Sequence, residues 1–157
     1  MIIVSDSTTL IILQDLQKLE YLTNIFDKVI IPKAVYDEIN YKKTFILPEN
    51  FECKEITKNS DFEILCELLD IGESEAITLS VQMQLPLIID EKKGRKIAKN
   101  LGIKIIGLLG VLYINIQKKY ITQLDAKEFL DNALENGYRI SPKLIVQFFE
   151  SLGNTNA

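Results

Sequence analysis

Apolar residues recur along this chain in two rhythms that alternate from one end to the other. Ile2 to Val4, Lys28 to Ile31, Leu87 to Ile89 and Ile103 to Ile106 are short apolar runs, and Phe51 to Ile56 alternates in the manner of a short strand. Between them the spacing becomes helical, over Thr8 to Glu20, Pro32 to Asn40, Ser60 to Leu69, Glu73 to Met83 and Glu91 to Asn100. Strand followed by helix, repeated, is the pattern of an α/β sheet built from βα units. After the last strand, Gly107-Leu108-Leu109-Gly110 leads into a helix through Lys119, and Leu124 to Glu135 and Pro142 to Leu152 predict two more helices.

Punctuating residues set the expected boundaries. Pro32 fits the first turn of a helix, where its missing N–H costs nothing. Ser60-Asp61-Phe62-Glu63 has capping-box spacing, Gly72 interrupts the helical pattern before Glu73, and Gly102 and Gly137 read as stops. Ser141 is the expected N-cap of the last helix. At 157 residues the chain is most economically one domain, residues 1–152, with 153–157 as a flexible tail.

Candidate chemistry sits where strands end. Ile2-Ile3-Val4-Ser5 stops at Asp6, and Leu87-Ile88-Ile89 stops at Asp90. In open parallel sheets this carboxyl edge is where ligands bind. Glu38, on the helix after the second strand, and Glu73 or Glu75, on the helix before the fourth, bring further acids to the same edge. Being two apart, Glu73 and Glu75 cannot face the same way, and Glu73 in the first turn has a sufficient reason in the helix dipole. Carboxylates gathered in a cleft repel one another unless a divalent cation neutralises them. In a chain without histidine they point to oxygen-ligated metal chemistry rather than imidazole catalysis. Taken singly, each acid also has a plain structural use, as an N-cap after a strand or as a solvated helix residue. Thr8 suits a hydrogen bond to a metal-bound water or a phosphate, or equally to its own helix backbone.

Charge narrows the partners. A net charge of −4 and a pI near 5.0 give no global reason to bind nucleic acid, so any such activity needs a local patch. Lys92, Lys93, Arg95, Lys96 and Lys99 form one directly after Asp90, as phosphate ligands or as a solvated helix face. Tyr36, Tyr41 and Phe45 either stack on bases or pack in the core. Cys53 and Cys66 lack CxxC spacing and are expected as buried or half-buried thiols in a reducing compartment. No stretch approaches the ~20 apolar residues of a membrane span, so a cytoplasmic protein is expected. An aspartyl phosphotransferase also places Asp after its first strand, but Asp6-Ser7-Thr8 lacks the second aspartate expected two positions later.

These residues carry a family resemblance. Val4-Ser5-Asp6-Ser7-Thr8-Thr9-Leu10-Ile11, Ile31-Pro32 with Val35-Tyr36-Asp37-Glu38-Ile39, Gly72-Glu73-Ser74-Glu75-Ala76-Ile77 and Leu87-Ile88-Ile89-Asp90-Glu91 resemble a PIN-domain protein of the compact prokaryotic branch. Gly94-Arg95-Lys96-Ile97-Ala98, Leu101-Gly102, Gly107 to Leu112 and Gly137-Tyr138-Arg139-Ile140-Ser141 continue the likeness almost to the end. The resemblance implies a three-layer α/β/α sandwich with a mostly parallel, roughly five-stranded sheet. By position it implies family acids at Asp6, Glu38, Glu75 and Asp90, with Mg²⁺ or Mn²⁺ held by Asp6, Glu75 and Asp90. Toxin relatives commonly have Asp where this chain has Glu75. Metal-dependent hydrolysis of RNA would follow, with Thr8, Lys92, Lys93 and Arg95 on the substrate. An antitoxin partner and a homodimer are implied as well. The alternative of another class is a catalytically silent PIN-like interaction module, in which the acids serve as caps.

Overall fold

Each run that the pattern marks as a strand contains one in the computed structural model, which describes residues 1–155. In chain order the elements are β1 (Ile2–Ser5), α1 (Ser7–Asp15), α2 (Glu20–Thr23), β2 (Lys28–Pro32), α3 (Lys33–Lys42), β3 (Phe51–Lys54), α4 (Ser60–Leu68), α5 (Ile71–Met83), β4 (Leu87–Ile88), α6 (Lys92–Asn100), β5 (Ile105–Ile106), α7 (Leu108–Gln117), α8 (Gln123–Glu135) and α9 (Pro142–Thr155). The strands form one five-stranded sheet in the order β3-β2-β1-β4-β5, and every pairing is parallel. Val4 is the hub of the register, opposite Ile30 on one side and Leu87 on the other.

Strand side chains alternate between faces, and both faces are covered. Ile3, Val29, Ile31 and Ile88 point into one core with residues of α1, α2, α3, α7, α8 and α9. Val4, Ile30, Leu87 and Ile89 point into the other, against α4, α5 and α6. The architecture is therefore an α/β fold with helices flanking a wholly parallel sheet. No helix among the described residues is long and apolar enough to cross a membrane.

Several boundaries differ from the sequence expectation, each for a local reason. The first helix stops at Asp15, because Gln17 adopts a left-handed conformation (φ 58°) and Lys18 N–H reaches back to the Leu13 carbonyl, a helix-ending turn that lets Tyr21 and Leu22 drop into the core. Pro32 ends β2 and is the N-cap of α3 rather than its first residue. Asn59, not Ser60, caps α4, accepting from Phe62 N–H at 2.9 Å. Gly72 does not break α5; it lies in the first turn, where a Cβ would stand 3.1 Å from Glu38 Oε2, so glycine permits the close approach of α5 to α3. Cys53, on edge strand β3, and Cys66 are free and exposed rather than buried. Helix α9 runs on through Thr155, into the segment expected as a tail; residues 156–157 lie outside the described residues.

Candidate active site

The strand order reverses between β1 and β4, so the chain leaves the two strands in opposite directions and a crevice opens beyond their carboxyl ends. Asp6 follows β1 and Asp90 follows β4. Asp6 occupies the N-cap position of α1, yet its side chain makes no capping bond. It is 3% exposed, and its Oδ1 is buried with no hydrogen-bond partner. Helix capping therefore does not explain this carboxylate. Burial raises its pKa most, against the pull of the Ser7 N–H; the nearby charges of Asp70, Glu38 and Asp90 add to the rise, to about 7.

Asp90 is held from two elements. Its Oδ1 accepts from Leu108 N–H at the start of α7 at 3.0 Å, and its Oδ2 accepts from the Thr9 hydroxyl of α1. Thr9 is buried, whereas the expected contact residue Thr8 is exposed and faces the groove beside Asp90. Arg95 Nη1 donates to the Ile89 carbonyl at 2.6 Å, fixing the guanidinium beside Asp90. Gly107 makes room for both: a Cβ there would stand 2.7 Å from Asp90 Oδ1 and 2.8 Å from Arg95 Nη1. Tyr138 completes the surround; burial, then the charge of Asp90 and a hydrogen bond with it, push the phenol well above its ordinary pKa.

Glu38, exposed on α3, reaches the same cleft, as its place beside Gly72 and its effect on Asp6 show. Asp70, which the sequence reading passed over, joins it there. It is the N-cap of α5, its Oδ1 accepting from Glu73 N–H at 2.8 Å, and it is the neighbouring charge that Asp6 feels most. An Asp just ahead of an interrupted helical pattern was the available signal.

The two glutamates of α5 part ways. Glu75 is buried and turned toward α3, where its Oε1 accepts from Ala34 N–H at 3.0 Å. Glu73 is the one on the Asp6 side. Its Oε2 is buried without a partner; burial, then the adjoining Asp70 carboxyl, hold Glu73 at about 9, protonated at neutral pH, and Asp6 and Glu91 contribute. Successive helix residues are turned by about 100°, so two residues placed two apart on α5 point to different sides.

From Asp90 a groove of about 920 Å³ runs past Thr8 between α6 and the segment leading into α9. Lys92, Arg95, Lys96 and Lys99 line one side and Arg139 the other. Lys93 lies apart, beside Asp70, Glu73 and Glu91 in a smaller pocket of about 310 Å³. Glu91 caps α6 from Gly94 N–H; burial opposes its charge, but the Gly94 and Lys93 N–H groups outweigh that and keep its pKa low. Of the aromatics considered for base stacking, Phe45 is buried, Tyr36 packs against the core and Tyr41 is exposed, and none lines the groove.

A family model described as PIN domain matches residues 2–154. The chain belongs to the PIN-domain family. No curated protein matches it. PIN domains are in general predicted nucleases and typically bind divalent metals. Among the described residues of this PIN domain, no group of three or more His, Cys, Asp or Glu side chains is already gathered so as to hold a metal ion. The chemistry of the donors nevertheless suits one. All are carboxylates, and the buried Asp6 Oδ1, without a protein hydrogen-bond partner, is an oxygen that a cation would satisfy.

Proposed function

We propose that this PIN domain is a Mg²⁺- or Mn²⁺-dependent endoribonuclease. The observation that carries the reading is the unpartnered Asp6 Oδ1, buried at the switch point of the sheet, with Asp70, Glu38 and Asp90 around it and a cationic groove at the mouth. Asp6, Asp90 and Asp70 are the residues that would hold the cation, with Glu38 beside them. When bound, it supplies an activated water and positive charge opposite the scissile phosphate. Thr9, Leu108 N–H and Tyr138 keep Asp90 from turning away, a supporting role of the kind that commonly governs metal affinity. Lys92, Lys96 and Lys99 bind backbone phosphates, while Thr8 stands at the junction of groove and acids. Glu75, implied by the resemblance as a metal ligand, is buried with one oxygen, Oε1, accepting from Ala34 N–H of α3.

The likeness to toxin ribonucleases supports a toxin paired with an antitoxin and active as a homodimer. A second reading, a binding module without catalysis, is favoured by the open spacing of the acids. One experiment separates the two. Asp6→Asn is expected to lower Mn²⁺-dependent cleavage of a labelled single-stranded RNA at least ~100-fold with the circular dichroism spectrum unchanged, and EDTA to mimic it. Equal cleavage by both proteins, or cleavage that persists in EDTA, would remove the ribonuclease reading.

A further inference from the structure

The groove beside the acids has more in it than a phosphate track. Its cationic rim is set by Lys96 and Lys99 of α6 on one side and by Arg139 on the other, and none of the three is in an ion pair among the described residues. Cations converging on one cleft from two elements, in a chain of net charge −4, make a local positive patch that an anionic strand fits. Between the rims the floor is apolar, made by Leu109 of α7, Ile140, and Leu144 in the first turns of α9. Leu144 is 49% exposed, so this surface faces solvent rather than core.

A duplex offers phosphates but keeps its base faces stacked inside, where they cannot meet an apolar floor. An unpaired strand offers both, charge along its backbone and the flat face of each base. We propose that the segment from Arg139 to Leu144 forms a nucleobase subsite, in which an unpaired base of a single-stranded RNA lies on Leu109, Ile140 and Leu144 while its flanking phosphates meet Arg139 and α6. The volume of about 920 Å³ is ample for such a ligand. The subsite joins the acids at Asp90, so a strand lying in it has its next phosphate directed toward the cleft. This inference rests on the nuclease reading only in taking RNA as the ligand; binding in the groove needs neither the cation nor cleavage.

The test measures binding in EDTA, by fluorescence anisotropy, using a labelled single-stranded RNA of roughly ten nucleotides and the same RNA annealed to its complement. The single strand is expected to bind at least ~10-fold more tightly than the duplex. Leu144→Ser should weaken the single strand about 5-fold with the salt dependence unchanged, because it removes only apolar contact. Arg139→Gln should weaken it and flatten the logarithmic salt slope by about 0.7. Lys127→Gln, which removes a cation already paired with Asp131 on α8, should leave binding unchanged. Equal affinity for duplex and single strand, no binding of either, or indifference to both Leu144→Ser and Arg139→Gln would each overturn the subsite. Strand-selective binding without cleavage in Mn²⁺ would keep the subsite and remove the nuclease reading. Cleavage with unaltered binding by the variants would do the reverse.

Discussion

Among the individual residues, the carboxylates differ less in identity than in what each already touches. Asp70 and Glu75 make the contrast testable. Asp70→Asn keeps a side chain that still caps α5, yet it removes a charge beside Asp6, so Mn²⁺ affinity measured by titration calorimetry should fall about 10-fold or more. Glu75→Gln should leave that affinity within about 3-fold but lower unfolding free energy in urea by roughly 1 kcal/mol, through its bond to Ala34 N–H. The opposite pattern would place Glu75 rather than Asp70 on the cation. Protonation follows from the same neighbourhood. The folded pKa of Asp6, about 7, lies above its unfolded value of 3.8, so between these pH values the folded protein holds more protons than the unfolded one. Without divalent cation, stability is expected to fall as pH rises from about 4 to about 7, and further toward about 9 through Glu73. Denaturation midpoints in EDTA across that range check this, and Asp6→Asn should flatten the part below pH 7. Cation binding must displace the proton on Asp6, so it should strengthen as pH rises through 7.

At the level of elements, the site depends on close approaches where strands hand over to helices. The β5–α7 junction is the one that touches the acids, since Gly107 lies where a Cβ would press on both Asp90 and Arg95. Its backbone is extended (φ −111°), so the need for glycine there is one of space, not of conformation. Gly107→Ala should displace Asp90 from Leu108 N–H and lower cleavage roughly 10–100-fold. Its cost in stability should be about 1–3 kcal/mol. Single-turnover cleavage and thermal melting read the two effects separately, and an unaltered cleavage rate would show that Asp90 tolerates the shift. Weighed as residue types one at a time, Gly72 signals a break and Ser60 a cap. In the fold Gly72 answers to Glu38 on another helix, and Asn59 reaches Phe62 N–H first.

For the molecule as a whole, the C-terminal helices are part of the domain and also part of the groove. Phe148 and Leu152 of α9 are buried in the core that holds α7 and α8, while Leu144 of the same helix faces the groove. Phe148→Ala should therefore destabilise the whole protein by roughly 3–5 kcal/mol and shift the entire unfolding transition as one. A separate early transition confined to the C-terminal helices would show that α9 is an appendage. The division of labour between the two cores is legible in the strands, because side chains two apart share a face and residues one apart do not.

The sequence by itself determined the strands, the βα alternation and the two acids at strand ends, Asp6 and Asp90. These are local matters: an apolar run buries itself wherever the sheet forms, and the residue that ends the run lies at the sheet's edge. It also put Glu38 and the basic run on the helices that follow β2 and β4, where α3 and α6 lie. Only the tertiary structure decided which carboxylate of the α5 region meets Asp6. That choice depends on the rotation of a helix about its axis, which tertiary packing sets: it leaves Asp70 and Glu73 near Asp6 and brings Glu75 to the Ala34 N–H of α3. It likewise decided that Tyr138 and Arg139, remote in sequence from Asp90, stand across the groove from α6. No local pattern encodes that pairing, because it arises from α9 packing its apolar side against the core and carrying the preceding segment with it.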